Sequence, residues 1–89
     1  MENRTTMKLE LLAAIFQLFF PDKQYQVSID KWDTLLTAIE DNTKYIVEYD
    51  SEENHLQVWF VNLNERFVIN SVIEGSPEDI IKLSKILEQ

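Results

Sequence analysis

Apolar residues recur along the chain at two different spacings, which predict three helices and three strands. The first apolar run predicts a helix with Thr5 or Thr6 as its N-cap. This helix is expected to run to Phe20, because Pro21 cannot continue it. Almost every face of the helix is apolar, so it is either the central core element or is partly buried by a second copy of the chain.

A second helix is predicted between about residue 28 and Asp41. Residues 25–27 alternate like a short strand, and Ser28 or Asp30 then offers an N-cap. The apolar positions of the predicted helix follow helical spacing and are Ile29, Trp32, Leu35, Leu36 and Ile39. Its opposite face is mostly acidic.

Residues 44–50, 55–63 and 66–73 are rich in Tyr, Val, Ile and Phe and are predicted to be strands. Short polar turns at residues 51–54 and 64–65 make them an antiparallel meander. Ser76 as N-cap and Pro77 at the first helical position predict a last helix. Residues 1–89 are therefore expected to form a single α+β domain, a three-stranded meander packed with three helices in the order α-(β)-α-β-β-β-α, where the bracketed strand is the short one near 25–27.

Successive strand residues point to opposite sides of a sheet, so the meander has two predicted faces. The predicted helix-covered face comprises Tyr45, Val47, Tyr49, Leu56, Val58, Phe60, Phe67, Ile69 and Ile73. The other face comprises Ile46, Glu48, Gln57, Trp59, Val61, Arg66, Val68, Asn70 and Val72. This second face is apolar enough to meet helices, a partner or a second copy. We expect a homodimer or partner interface there, through Ile46, Trp59, Val61, Val68 and Val72.

Charge narrows the choice of partner. Sixteen Asp and Glu against eight Lys and Arg give a net charge of −8, which repels nucleic acid and anionic lipid headgroups. No direct binding to nucleic acid or membrane is expected, and basic proteins are the natural partners. The chain has no cysteine, which is typical of a reducing cytoplasm. Its richness in Ile, Asn, Lys and Glu is typical of a low-GC bacterial or phage genome, so the expected compartment is the cytoplasm of a bacterium or a phage-infected host.

The residues that catalysis requires are scarce. There is no Cys, His55 is the only imidazole, and Gly75 is the only glycine, so neither a thiol nucleophile nor a glycine-rich phosphate loop is present. Residues 50–55 bring oxygen and imidazole ligands together but lack the central Gly and distal Glu of a calcium loop. We therefore expect no enzyme, no metal and no cofactor, with a small hydrolase as a distant alternative.

Half of the carboxylates lie between residues 30 and 53, and they form the predicted partner-binding patch. Its residues are Asp30, Asp33, Glu40 and Asp41 on the predicted second helix, and Glu48, Asp50, Glu52 and Glu53 on the first hairpin. A solvated, solubilising surface is the simplest explanation, but a dense patch of one sign also steers a basic partner.

Carboxylates at this density can imitate a row of phosphates. In this the chain is similar in type to phage-encoded DNA mimics and host-takeover proteins. The leading hypothesis is an acidic inhibitor that occupies the nucleic-acid surface of a basic DNA- or RNA-binding protein. The alternatives are an immunity protein against a basic toxin, or a dimeric adaptor or chaperone that uses the apolar sheet face.

Overall fold

The computed structural model describes residues 9–65 and 69–87, which form two helices and one five-stranded sheet. The sheet is antiparallel, and its strands follow one another in chain order. The elements are α1 (Leu9–Phe19), β1 (Gln26–Ile29), β2 (Asp33–Glu40), β3 (Thr43–Asp50), β4 (His55–Asn62), a 3-10 turn (Leu63–Glu65), β5 (Ile69–Gly75) and α2 (Pro77–Leu87). The α+β class is confirmed, whereas the three-stranded meander with three helices is wrong in detail.

The main difference lies in the segment from residue 28 to 41, which was predicted as a helix and forms most of the β1–β2 hairpin. The short strand predicted at 25–27 is β1, which begins one residue later and ends two residues later than predicted. Burial alternates along the second half of β2. Leu36 and Ala38 are 0% and 6% exposed, while Ile39 is 66% exposed. A helix would have placed Leu36 and Ile39 on the same face, whereas a strand separates them.

The β2–β3 turn explains why the chain reverses at this point. Asp41 and Asn42 both have positive φ, 52° and 63°, and the flanking residues Glu40 and Thr43 pair with each other. Two central residues with positive φ define a type I′ turn, which matches the twist of a two-residue hairpin. Asp and Asn tolerate this backbone because their short polar side chains satisfy it locally.

Both described helices pack on one face of the sheet, where the core lies. From α1 the buried residues are Leu12, Ile15 and Phe16, and α2 contributes Ile80. The sheet contributes the buried or partly buried side chains of Leu36, Ala38, Tyr45, Val47, Tyr49, Leu56, Val58, Phe60 and Ile73. Seven of these belong to the face that was predicted to be helix-covered, so the face assignment of β3 and β4 is confirmed.

A β-bulge at Val72 changes the assignment of β5. Val58 pairs with Ile73, but the next residue, Trp59, pairs with Ser71. Asn70 consequently pairs with Phe60, on the helix-covered side, although it was predicted for the opposite face. The same shift pairs Ile69 with Val61 rather than with a helix-covered position. The sequence pattern could not show this bulge, because one extra residue inverts the alternation on one side of it only.

The predicted end of the first helix and the predicted start of the last helix are confirmed. Ser76 caps α2, its Oγ accepting a hydrogen bond from the Asp79 N–H at 3.3 Å. The Phe20 N–H donates to the Phe16 carbonyl at 2.8 Å, so the last turn of α1 reaches the residue before Pro21. The outer side of α1 carries exposed Leu11, so the helix is buried on one side only. Thr5, Thr6, Arg66, Phe67 and Val68 lie outside the described residues.

Candidate binding surface on the open sheet face

The sheet face opposite the helices is covered by no element of the described residues, and we call it the open face. It is formed by the alternate residues of the five strands. They are Gln26, Ser28, Asp33, Leu35, Thr37, Ile39, Lys44, Ile46, Glu48, Asp50, His55, Gln57, Trp59, Val61, Ser71 and Glu74. Apolar side chains occupy its middle and carboxylates occupy one of its ends.

The middle of the open face is an apolar strip. Ile46 on β3 lies between Thr37 on β2 and Trp59 on β4, and only 1% of it is exposed. It therefore offers almost no surface to a partner, although the sequence placed it in a predicted interface. Trp59 and Val61 are partly exposed, so they remain available for contact.

Sequence reasoning missed that β2 contributes to this strip. Leu35 is partly exposed and Ile39 is 66% exposed, and both lie on the open face. The two Thr residues of segment 33–40, which favour strands, were the available signal. The helical spacing of the same apolar residues obscured it.

Two turns meet at one end of the sheet and bring carboxylates together. The β1–β2 and β3–β4 turns are joined by Ser51, whose N–H and Oγ both donate to the Trp32 carbonyl at 2.8 Å. Asp33 and Asp50 are direct partners in the β2–β3 register. We call this region the acidic end, and its residues are Asp30, Asp33, Glu48, Asp50, Glu52 and Glu53.

The acidic end holds six of the eight residues of the predicted acidic patch. The other two, Glu40 and Asp41, lie at the opposite end of β2, where Glu40 is about 23 Å from Asp33 at strand spacing. Glu40 is also neutralised locally, because the Lys23 Nζ lies 2.6 Å from its Oε1. This hydrogen bond raises the pKa of Lys23. The single helical row of carboxylates that the sequence predicted is therefore wrong, since residues 33–40 form a strand.

One carboxyl group of the acidic end is opposed in its ionisation by burial and by neighbouring charges. Partial burial raises the pKa of Glu48, and the nearby charges of Asp33 and Asp50 raise it further. On the helix side, burial raises the pKa of Tyr49, with smaller contributions from Glu78 and Asp50. Lys31 is the one lysine in the two turns, and its Nζ lies 5.2 Å from the centroid of the Trp32 ring.

One carboxylate at this end, Asp50, has a structural role in the β3–β4 turn. The Oδ1 of Asp50 accepts hydrogen bonds from the backbone N–H groups of Glu52 and Glu53, at 2.9 and 3.3 Å. The Tyr49 hydroxyl donates to Asn54 Oδ1 at 2.9 Å. Asp50 therefore shapes the turn, while the side chains of Glu52 and Glu53 extend into solvent.

His55 lies on the open face beside the acidic end. Its Nε2 lies 3.1 Å from Glu74 Oε1 on β5, and both side chains are partly exposed.

Within residues 9–65 and 69–87, no group of three or more His, Asp or Glu side chains is arranged to hold a metal ion. Neither described helix is long and apolar enough to cross a membrane.

Two predicted interface residues remain, and the one that the structure describes, Val72, is not part of the apolar strip. Val72 is the bulged residue of β5 and is 44% exposed at that edge of the sheet. Val68 lies outside the described residues.

Comparison with protein-family models, curated protein sequences and solved structures found no match to this chain.

Proposed function

We propose that this chain is a non-enzymatic binding protein whose acidic end captures a basic partner, and that the partner is a nucleic-acid-binding protein which it inhibits. The observation that carries the proposal is the grouping of six carboxylates in and beside two adjoining turns that contain one lysine. Such a group concentrates negative potential and increases the rate of encounter with a positively charged surface. Proteins that bind nucleic acid present such a surface, because they neutralise phosphates with Lys and Arg.

The crowding of Glu48 with Asp33 and Asp50 supports a binding role over simple solubility. Solubility requires charge spread over the surface, whereas here burial raises the pKa of the Glu48 carboxyl and the charges of Asp33 and Asp50 raise it further. A basic partner would relieve this repulsion on binding. The adjoining Leu35 and Trp59 would add apolar contact beside the charged region.

The experiment is capture from a nuclease-treated bacterial lysate, followed by identification of the bound protein and purification. The test variant is Glu52→Lys with Glu53→Lys, because both side chains are exposed and their backbone N–H groups, which bond to Asp50, are retained. The matched control is Glu10→Lys with Glu65→Lys, which changes the net charge equally at exposed sites outside the acidic end.

We expect one basic, nucleic-acid-binding protein to be captured at about 0.05 M salt and lost at about 0.5 M salt. The test variant should lose capture, the control should keep it, and added DNA or RNA should compete with the chain for the purified partner. Capture that resists salt and survives in the Glu52/Glu53 variant contradicts the proposal.

A second candidate function is an adaptor or chaperone that binds through the apolar strip. The observation that favours it is the exposure of Ile39 together with the partly exposed Trp59 and Val61. In that case Trp59→Ala should abolish salt-insensitive capture, while the change of Glu52 and Glu53 leaves it intact. Gel filtration of Val61→Asp tests a homodimer through the same strip, since an unchanged elution volume rejects it.

A further inference from the structure

Strand β1 forms one edge of the sheet and is unusually accessible. All four of its residues are exposed, and among residues 9–65 and 69–87 it pairs only with β2. The opposite edge strand, β5, carries the bulge at Val72, a feature that discourages further pairing. Residues 26–29 contain no charge, proline or bulge, so β1 lacks the usual protection of a natural edge.

The backbone groups that β1 turns away from the sheet can be assigned from the register. The Asp30 N–H donates to the Asp33 carbonyl at 2.8 Å, so Asp30 faces β2. Antiparallel strands alternate, so Ser28 also faces β2, whereas Val27 and Ile29 direct their N–H and C=O groups outward. These same two residues have exposed side chains on the helix side of the sheet, at 40% and 71%.

The negative charge around β1 favours a basic strand over an acidic one at this edge. The segments that flank β1 and the ends of its partner β2 carry five carboxylates and two lysines. The carboxylates are Asp22, Asp30, Asp33, Glu40 and Asp41. Lys23 and Glu40 are paired with each other, which leaves four carboxylates and Lys31. A second copy of a chain with net charge −8 meets repulsion here, while a basic segment is attracted.

We propose that the β1 edge binds an extended, basic segment of a partner protein by strand addition. Val27 and Ile29 supply two N–H donors and two C=O acceptors to the incoming strand. Apolar side chains at alternate positions of that strand cover Val27 and Ile29 on the helix side. Lysine or arginine at the other positions extends the open face towards Asp30 and Asp33. For the charge of the partner the inference rests on the proposed function, but it concerns a different surface.

The probe is an end-blocked peptide of about ten residues in which valine and lysine alternate. Amide hydrogen exchange is measured by NMR with and without it. In the free protein, the Ser28 N–H should exchange slowly and those of Val27 and Ile29 rapidly. Saturating peptide should slow Val27 and Ile29 about tenfold or more, and a matched valine–glutamate peptide should have no effect.

Two variants test the edge directly. Val27→Pro removes one outward N–H that β2 does not use, and Ile29→Lys places a charge on the edge. Each should weaken peptide binding by about tenfold, which corresponds to the loss of roughly one hydrogen bond with its packing. The controls are Val27→Thr, which keeps the backbone donor, and Val72→Lys, which adds the same charge at the other edge. Both should change affinity by less than about threefold.

Unchanged binding by Val27→Pro and Ile29→Lys, or peptide protection confined to β5, overturns the proposal. Slow exchange at Val27 and Ile29 without peptide, together with a dimer in sedimentation, also overturns it by making a second copy the occupant. Failure of the peptide leaves the lysate result at Glu52 and Glu53 untouched, so the two proposals are tested separately.

Discussion

At the scale of single residues, Glu48 shows how the fold creates an unfavourable interaction. It lies between Leu35 and Gln57 in the register, so its carboxyl is partly desolvated, and Asp33 and Asp50 are close enough to oppose its ionisation. Its pKa in the folded chain is therefore higher than in the unfolded chain. Over the pH range between these two values the folded chain binds more protons, so stability falls as pH rises through it.

We expect Glu48→Gln to increase the free energy of unfolding at neutral pH by less than about 1 kcal/mol, because solvent screens a partly exposed group. The variant should also lose some of the decrease in stability that the parent shows as pH rises from acidic to neutral. Urea titrations at several pH values measure both effects.

Glu52→Gln is the control for this prediction, since it removes the same charge from an exposed turn. It should stabilise the chain less than Glu48→Gln does. A Glu48→Gln variant that is less stable than the parent at neutral pH would show that the carboxylate makes a favourable interaction instead.

At the scale of elements, the β2–β3 hairpin depends on two residues with left-handed backbone conformation. Neither Asp41 nor Asn42 is glycine, yet both have positive φ and pair Glu40 with Thr43 across the turn. The turn places Leu36 and Ala38 opposite Val47 and Tyr45, and so builds the middle of the core. Residues that are strained at positive φ should consequently destabilise the whole hairpin when they replace Asp41 or Asn42.

Asn42→Val should lower the free energy of unfolding by about 1–2 kcal/mol, because a β-branched side chain is strained at positive φ. Asn42→Gly should be neutral or slightly stabilising. Asn64→Val in the exposed 3-10 turn serves as the control, with a change below about 0.5 kcal/mol. Urea unfolding followed by tryptophan fluorescence distinguishes these cases, and equal losses for the two valine variants would contradict the turn assignment.

The prediction of elements from sequence was successful where local and non-local preferences agree. Residues 44–50 are β-branched and aromatic at alternating positions, and β3 lies in the middle of the sheet, so both levels favour a strand. At Ser76 and Pro77 the capping chemistry is local, so the start of α2 could be predicted directly. Between Ile29 and Ile39 the apolar spacing favoured a helix, but pairing with β3 decided the outcome.

At the scale of the whole molecule, the helices cover one face of the sheet and leave the other open. Leu12 is 1% exposed within the core, whereas its neighbour Leu11 is 38% exposed on the outside of α1. Truncating each of these two leucines therefore compares the stability contributed by a side chain packed on the sheet with that of one partly in water. A domain of this size has a total stability of about 5–15 kcal/mol, so the loss of one core side chain is a large fraction.

Leu12→Ala should lower the free energy of unfolding by about 2–5 kcal/mol, since it removes buried methyl groups and leaves a cavity. Leu11→Ala should cost less than about 1 kcal/mol, because its side chain is already partly in water. Urea denaturation followed by circular dichroism measures both, and equal losses would contradict the packing of α1 on the sheet.

The sequence by itself determined the α+β class, the strand character of residues 44–50 and 55–62, the start of α2 and the excess of negative charge. These properties depend on composition or on interactions between near neighbours in the chain. Only the tertiary structure decided that residues 26–40 form a hairpin, that Asp30 and Asp33 join Asp50 while Glu40 does not, and that β1 is an exposed edge. Each of these depends on hydrogen bonds between strands, and local spacing cannot specify which strands pair when the same apolar residues fit both a helix and a strand.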